Sequence, residues 1–140
     1  MSKKNISFIL HKPQLSENIG DCARAIKNFD FNKLILVNPK PTFPNDKILA
    51  ISVGAKDIIK QSKNYDNLED AISKIDILIA TSARFRNKNI KHINLVGLKK
   101  INFKKKLVFC LVQRHQVYLT MKSVMLIILY KFQLILILNH

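Results

Sequence analysis

The sequence predicts an α/β fold built on an open, mostly parallel sheet, and two observations lead to that expectation. Short apolar runs with the length of buried strands alternate along the chain with segments whose apolar residues recur at helical spacing. This alternation favours parallel strand pairing with helices on both faces of the sheet. No internal repeat and no Gly/Ser-rich linker divides the 140 residues, so a single domain is expected.

The first predicted strand, Ile6–Leu10, is a short apolar run that Pro13 and Ser16 bring to an end. From Glu17 the apolar residues fall at helical spacing, which predicts a helix over Asn18–Phe29. Because this helix follows a strand directly, its first two turns are expected close to the carboxyl edge of the sheet, where open α/β sheets bind their ligands. The other predicted elements are, in order, a strand at Lys33–Val37, short helices near Lys47–Ile51 and Ala55–Gln61, a helix at Leu68–Ile75, and strands at Ile77–Ala80 and Leu107–Phe109.

The charge balance favours a polyanionic partner. The chain has 24 Lys and Arg against 9 Asp and Glu, a net charge of +15. Basic side chains that neutralise phosphates release condensed counterions, which favours nucleic-acid binding. The last acidic residue is Asp76, and the basic segment after it contains Phe85 and Phe103. This segment could hold an RNA backbone or be a solvated loop, and codon bias in an AT-rich genome would also enrich lysine.

The two cysteines, Cys22 and Cys110, are too few for a disulfide framework and lack the spacing of metal ligands, so no metal site is expected. The apolar run at Ile6–Leu10 is too short for a signal peptide and leads straight into His11 and Lys12. We therefore expect a protein of the reducing cytoplasm, with no membrane partner.

Six segments of the chain carry a resemblance to a known family. They are Asn18–Gly20, Ala23–Ala25, Asn28–Phe29, Leu34–Pro39, Ser52–Ala55 with Asp57 close after it, and Ala80–Arg84. In this order they resemble the motifs of the SpoU-type RNA 2′-O-ribose methyltransferases over about the first three quarters of the chain, and the match is closest to the branch that methylates tRNA. An isolated Asn-x-Gly is a weak signal, whereas several elements in the right order are specific.

The resemblance implies transfer of a methyl group from S-adenosylmethionine to a ribose 2′-hydroxyl of tRNA or rRNA. It also implies a SPOUT-type domain with a knotted C-terminal part, typically a homodimer. Arg24 is the expected catalytic residue, because an arginine stays charged and is a good clamp for a phosphate or a developing alkoxide. Asn18 is expected either to orient Arg24 or to cap the helix. Gly20 is expected either to let an RNA backbone approach or to allow close helix packing.

The same resemblance implies a cofactor-binding turn after a strand. Thr81, Ser82 and Ala83 are similar to the family's turn that contacts S-adenosylmethionine, and an ordinary strand-ending turn is the alternative. Arg84 and Arg86, which follow this turn, are expected to contact RNA or to be solvated.

Three residues depart from the family's pattern. Asp21 and Cys22 stand where small residues are usual, and Asp30 stands where the family normally has the glycine that ends the helix in a left-handed conformation. Because Asp tolerates this conformation better than most residues, Asp30 should cost stability without breaking the fold. At a later helix, Asp66 is expected to cap the N-terminus before Leu68.

Phe109 is the last residue that fits the family's pattern. Wobble bases can be chosen for the residues after it so that the frame beginning at each third base reads GPETSGLSNDEISNADYLIQIPTNPNFK, which contains the family's Gly-Pro-Glu and Ile-Pro-Thr-Asn signatures. We therefore expect residues 1–109 to be the N-terminal part of a methyltransferase domain. Residues 110–140 are expected to be a frameshifted apolar tail, with the knotted part missing or replaced, and methyl transfer by this truncated chain is expected to be negligible.

The tail and the function each have alternatives. Val124–Leu138 is shorter than the roughly 20 residues of a membrane helix and contains Lys131 and Gln133, and a buried strand pair is the other possibility. If the tail is translated, the uncharged run Gln133–Leu138 is expected to promote aggregation. For the function, a non-catalytic RNA-binding or interaction module that uses Arg84–Lys106 is the runner-up. A flavodoxin-like nucleotide-binding domain is the third option, although no phosphate-binding glycine-rich loop supports it.

Overall fold

The computed structural model describes residues 3–82, 91–93, 95–112 and 133–138. A short 3₁₀ turn at Lys3–Asn5 precedes the first strand. The elements are β1 (Ile6–His11), α1 (Ser16–Asn28), β2 (Leu34–Val37), α2 (Asp46–Ile51), α3 (Lys56–Gln61), β3 (Lys63–Tyr65), α4 (Leu68–Ile72), β4 (Ile77–Ser82), β5 (Lys91–Ile93), α5 (Leu95–Leu98), β6 (Leu107–Val112) and β7 (Gln133–Leu138).

The strands form one sheet in the order β3-β2-β1-β6-β4-β7-β5. The first five strands in this order pair in parallel, and β7 runs antiparallel to both β4 and β5. The predicted α/β class with a mostly parallel sheet is therefore confirmed. The strand order reverses at β1, because β2 follows β1 in the chain and lies on one side of it, whereas β6 and β4 lie on the other.

Helices cover both faces of the sheet, as the buried side chains show. On one face, Phe8 and Leu10 of β1 pack in a cluster with buried residues of α1, α2 and α3. The Phe8 ring meets Phe31 edge-on with centroids 5.2 Å apart and stacks on Phe109 of β6 at 5.6 Å. On the other face, Ile9 belongs to a second cluster that includes Ala71 of α4. β1 thus contributes to both hydrophobic clusters, as expected for the central strand of a doubly covered sheet.

Several predicted elements differ from the structure at their ends. Asn67, and not Asp66, caps α4, because its side-chain oxygen accepts a hydrogen bond from the Asp70 amide at 2.9 Å. The predicted helix to Ile75 ends earlier, at Ile72. The sequence prediction also missed β3, β5 and α5, since three or four residues are too few to show a periodicity. β7 lies within the apolar tail, for which strands were given only as an alternative.

The helix α1 ends as expected, with a residue in the left-handed region. Asp30 has φ 62°. The Phe31 amide donates to the Ile26 carbonyl at 3.0 Å and the Asp30 amide to the Lys27 carbonyl at 2.9 Å, the two bonds of a Schellman motif. Phe31 also packs against the core cluster that contains Ile26. The turn is therefore fully formed although an aspartate occupies the position that glycine favours.

The variant Asp30→Gly is expected to raise the free energy of unfolding by about 0.5–1 kcal/mol. Glycine removes the Cβ penalty of the left-handed conformation and also removes a negative charge beside the negative end of α1. The lost ion pair with Lys3, 3.5 Å long and exposed, contributes little. Urea unfolding of Asp30→Gly and Asp30→Ala measures the effect. An alanine variant at least as stable as the glycine variant would contradict the role given to the left-handed conformation.

The strand β7 lies between β4 and β5, with Ile79 of β4 in register with Leu136. The division at residue 109 into a methyltransferase part and a frameshifted tail stays a prediction. None of the helices in the part of the chain that the structure describes is long and apolar enough to cross a membrane.

Candidate functional site

The candidate site lies at the carboxyl edge of the sheet, where the strand order reverses. His11 ends β1 in register with Val37 of β2 and Val112 of β6, so three strands end together there. Burial lowers the pKa of His11, and the neighbouring Lys12 charge lowers it further. Lys12 and Asn38, which directly follow β1 and β2, have positive φ angles of 53° and 47°. Open α/β sheets bind ligands at such a reversal, and α1 begins beside it.

Asn18 is a buried side chain with an unused hydrogen-bond donor. It is the third residue of α1 and is 3% exposed. Its Nδ2 is buried and has no hydrogen-bond partner within the described residues. The N-cap position belongs to Leu15, and no side chain caps this helix, so the helix-capping alternative for Asn18 is wrong. A buried donor without an acceptor costs about 1–3 kcal/mol, which makes this amide a candidate contact for a bound oxygen atom.

Arg24 lies on the exposed side of α1 and pairs with Asp21. Its Nη1 is 3.8 Å from Asp21 Oδ1, one helical turn away. Arg24 follows Asn18 by six residues, which places it about 9 Å further along the helix axis and on a different face. Asn18 makes no hydrogen bond to Arg24, so the structure does not support an orienting role for Asn18. Asp21, which departs from the family's pattern, is the residue that pairs with Arg24.

Two other ion pairs on α1 fix the helix to its neighbours. Glu17 Oε1 is 2.5 Å from Lys47 Nζ of α2, and this hydrogen bond lowers the pKa of the Glu17 carboxyl. Lys27 Nζ donates to Asp57 Oδ2 of α3 at 2.6 Å, and this bond lowers the pKa of Asp57. Arg24 lies between these two pairs along α1, and within the described part of the chain its ion pair is with Asp21 of the same helix. Its guanidinium therefore does not fix α1 to a neighbouring helix.

Gly20 is buried against α2. A Cβ atom at this position would lie 2.5 Å from Ile51 Cγ2 and 2.8 Å from Ile51 Cβ. The structure thus supports helix packing, which was the alternative explanation for Gly20. The RNA contact proposed for Gly20 stays a prediction.

The predicted cofactor and RNA-binding residues are only partly described. Thr81 and Ser82 belong to β4 and not to the turn after it, because they continue the ladder to Leu134 and Gln133 of β7. The end of β4 is two strands away from β1, a separation of about 10 Å, and on the side opposite β2. Ala83, Arg84 and Arg86 lie outside the described residues. Within one chain, the structure therefore does not bring Thr81 and Ser82 together with Arg24.

Asn45 is a structural residue at this edge that the sequence prediction missed. Its side-chain oxygen accepts from the Ile48 amide at 2.8 Å and caps α2. Its Nδ2 donates to the Thr42 carbonyl at 2.7 Å and to Ser16 Oγ at 3.3 Å. Asn45 thereby connects the start of α1 with the start of α2. Its position three residues before a buried isoleucine is the sequence signal of an N-cap.

The cysteines and acidic residues do not suggest another chemistry. Burial raises the pKa of Cys22 to about 12 and that of Cys110 to about 11, so both remain thiols. No three His, Cys, Asp or Glu side chains within the described ranges are grouped so as to hold a metal ion.

Comparisons with known proteins agree with the sequence motifs. Residues 5–111 match the model of the SpoU rRNA Methylase family. The tRNA (cytidine-2′-O-)-methyltransferase TrmJ of Methanocaldococcus jannaschii is 37% identical over 89 residues, which are 63% of this chain and 38% of that protein. The tRNA (cytidine/uridine/adenosine-2′-O-)-methyltransferase TrmJ of Pseudomonas aeruginosa is 42% identical over 69 residues, 49% of this chain and 26% of that protein.

A solved structure shows the same fold. The crystal structure of TrmJ from Z. mobilis ZM4 superposes with a TM-score of 0.68 and 27% identity, covering 81% of this chain and 52% of that one. The matched region spans about a quarter to two fifths of the length of these two curated relatives.

Proposed function

The chain belongs to the SpoU rRNA methylase family, and from that premise we propose that its fold serves the 2′-O-methylation of a ribose in tRNA. The observation that carries the proposal is the pair of polar groups on α1. Both groups lie on the helix that follows β1. Asn18 has a buried amide donor without a partner, and Arg24 has an exposed guanidinium that pairs with Asp21. The names of the relatives favour tRNA over rRNA as the substrate.

Methyl transfer to a ribose hydroxyl makes two demands, which are in-line positioning and removal of the hydroxyl proton. Arg24 meets the first demand, because its guanidinium can hold a phosphate next to the reacting ribose and stabilise the developing alkoxide. Its charge is permanent, so it does not act as the base. Asn18 Nδ2, on a different face of α1 and about 9 Å away along the helix axis, is proposed as a donor to a separate oxygen atom and not to the group that Arg24 holds.

The methyl donor proposed is S-adenosylmethionine, which supplies an electrophilic methyl group. The buried donor without a partner, Asn18 Nδ2, lies on α1, whereas Thr81 and Ser82 are in register with Leu134 and Gln133 of β7. The binding roles of Thr81, Ser82 and Ala83 remain part of the proposal.

The proposed active form is a homodimer. Arg24 faces outward on α1, and the end of β4 lies on the other side of β1. A second copy of the chain could bring its own β4 end to this Arg24 without any change within one chain. The homodimer expected from the family resemblance would thereby complete a site that a single chain leaves divided.

β7 pairs with the end of β4, where the cofactor-binding turn was expected. This pairing favours a second candidate function for the 140-residue chain, that of a non-catalytic RNA-binding module. This candidate and the frameshift hypothesis make the same prediction, which is negligible methyl transfer by this chain. The two hypotheses differ in the methyl-transfer activity that they predict for a protein with the restored reading frame.

The test compares two proteins made from the same gene. One is the 140-residue chain, and the other continues after Phe109 in the shifted frame that encodes the Gly-Pro-Glu and Ile-Pro-Thr-Asn signatures. Transfer of a labelled methyl group from S-adenosylmethionine to tRNA is measured for both. We expect transfer by the restored protein and none above background by the 140-residue chain. A restored protein that binds tRNA without methylating it would contradict the proposed function, and a gene without these signatures would contradict the frameshift hypothesis.

A further inference from the structure

A groove lined by lysines lies at the amino-terminal edge of the sheet, opposite the candidate site. It has a volume of about 630 Å³ and includes five lysines: Lys4, Lys33, Lys63, Lys74 and Lys106. Each lysine stands at or just before the start of a strand, namely β1, β2, β3, β4 and β6. These five strands are parallel, so their amino ends share one edge. The topology of the sheet thus collects the five charges.

The lysines form an ordered row. The neighbouring strands β3, β2, β1 and β6 each have one of these lysines at or just before their start, namely Lys63, Lys33, Lys4 and Lys106. Adjacent strands are about 4.8 Å apart, so the four strand starts span about 14 Å. A nucleic-acid strand carries one phosphate for roughly every 3.4 Å of helix axis. The row is therefore long enough to contact several consecutive phosphates.

The charges in this groove are not neutralised by the fold. All five lysines are exposed, and none of them forms an ion pair with another described residue. The groove contains one carboxylate, Asp70, whose Oδ2 accepts a hydrogen bond from Asn67 Nδ2 at 3.0 Å. The ammonium of Lys33 donates to the backbone carbonyl of Lys4, a group that carries no charge to neutralise it. Like charges held side by side repel one another, so the fold gains nothing from collecting them.

We propose that this lysine groove binds the phosphate backbone of the RNA as a second contact surface, distinct from the α1 site. The choice of RNA among polyanions rests on the proposed function, whereas the presence of an anion site rests on the groove alone. Lysine is depleted in protein interfaces, which argues against a protein partner. The neutral groove residues Asn5, Asn32 and Tyr65 add side chains that can hydrogen-bond phosphate or sugar oxygens.

The test uses two triple variants of the full chain with the same net charge. The groove variant is Lys33→Gln/Lys63→Gln/Lys106→Gln. The control variant is Lys56→Gln/Lys60→Gln/Lys99→Gln, which removes three exposed lysines outside the groove. Binding of labelled tRNA is measured by fluorescence anisotropy between about 50 and 200 mM salt, and circular dichroism checks the fold. A third variant, Lys33→Arg/Lys63→Arg/Lys106→Arg, tests whether positive charge alone at these positions is enough for tRNA binding.

We expect the groove variant to lose at least about tenfold in affinity near 100 mM salt and its log–log salt slope to fall by about 2, since each lost phosphate contact removes about 0.7–0.9. The control variant should lose about twofold or less, and the arginine variant should bind like the natural chain. Equal losses in the groove and control variants would overturn the proposal. The proposal would also be overturned if inorganic pyrophosphate stabilised the protein only when the groove lysines are present, while the affinity for RNA did not depend on these lysines. The site would then bind small anions.

Failure of the groove and failure of the proposed function give different results. If the chain binds tRNA and the groove variant binds equally well, the groove proposal alone is wrong. If tRNA binding depends on the groove but the restored-frame protein transfers no methyl group, the proposed function alone is wrong. If the 140-residue chain does not bind tRNA, the groove proposal is wrong, whereas the proposed function is still decided by methyl transfer in the restored-frame protein.

Discussion

Replacing Arg24 with alanine is expected to lower methyl transfer by the restored-frame protein about 10²- to 10³-fold. This is the loss seen when one positioned donor to a developing oxyanion is removed. The stability should change little, because the Arg24 side chain is 43% exposed and its ion pair with Asp21 is a surface pair. The measurement is the initial rate of methyl transfer to tRNA, with the thermal unfolding midpoint recorded for the same samples.

Two further variants separate the charge of Arg24 from its orientation. Arg24→Lys keeps the charge but loses the planar fork that holds a phosphate through two hydrogen bonds, so it should recover only part of the rate. Asp21→Asn leaves Arg24 intact but frees it from its partner, and a smaller loss is expected. Full activity of Arg24→Ala would contradict the catalytic role of this residue.

Replacing Gly20 with alanine is expected to destabilise the protein by about 1–3 kcal/mol, the usual cost of overpacking a tight contact. At an ordinary helical position the same change would stabilise the helix by about 1 kcal/mol. At Gly20 the added Cβ would approach Ile51 Cγ2 to 2.5 Å, so either α1 or α2 must shift. Urea unfolding of the full chain measures the difference.

The coupling of Gly20→Ala with Ile51→Ala tests the cause of this loss. If the clash is responsible, the double variant should lose clearly less stability than the sum of the two single variants. Gly54→Ala is the control for glycine replacement, because nothing lies within 4 Å of its added Cβ and its cost comes from φ 76°. A Gly20→Ala variant that is more stable than the natural chain, yet binds RNA less tightly, would support the RNA contact instead.

The long elements of the fold could be predicted from the sequence because each shows a clear period or a continuous apolar run. β1, α1, β2, β4 and β6 were found with small errors at their ends. The left-handed conformation of Asp30 was also predicted, because the family resemblance places at this position a glycine that ends the helix. The cap of α4 was assigned one residue too early, since Asp66 and Asn67 are both good caps and only the backbone geometry distinguishes them.

The candidate site was harder to predict, because its contacts depend on spacing in three dimensions. The motif directed attention to Asn18 and Arg24, whose roles stay a prediction. However, it did not reveal that the two residues, six positions apart, lie on different faces of α1, or that Arg24 pairs with Asp21. The packing of Gly20 on Ile51 joins residues thirty-one positions apart and has no local sequence signal. The lysine groove likewise arises from the parallel sheet, which gathers residues that are distant in the chain.

The central position of β1 has a consequence for synthesis on the ribosome. β1 pairs on one side with β2, about 25 residues downstream, but on the other side with β6, about a hundred residues downstream. The nascent chain must therefore carry β1 with one bare hydrogen-bonding edge until residues 107–112 emerge from the exit tunnel. At about 5–20 residues per second this interval lasts several seconds, during which chaperones have time to engage the apolar segment.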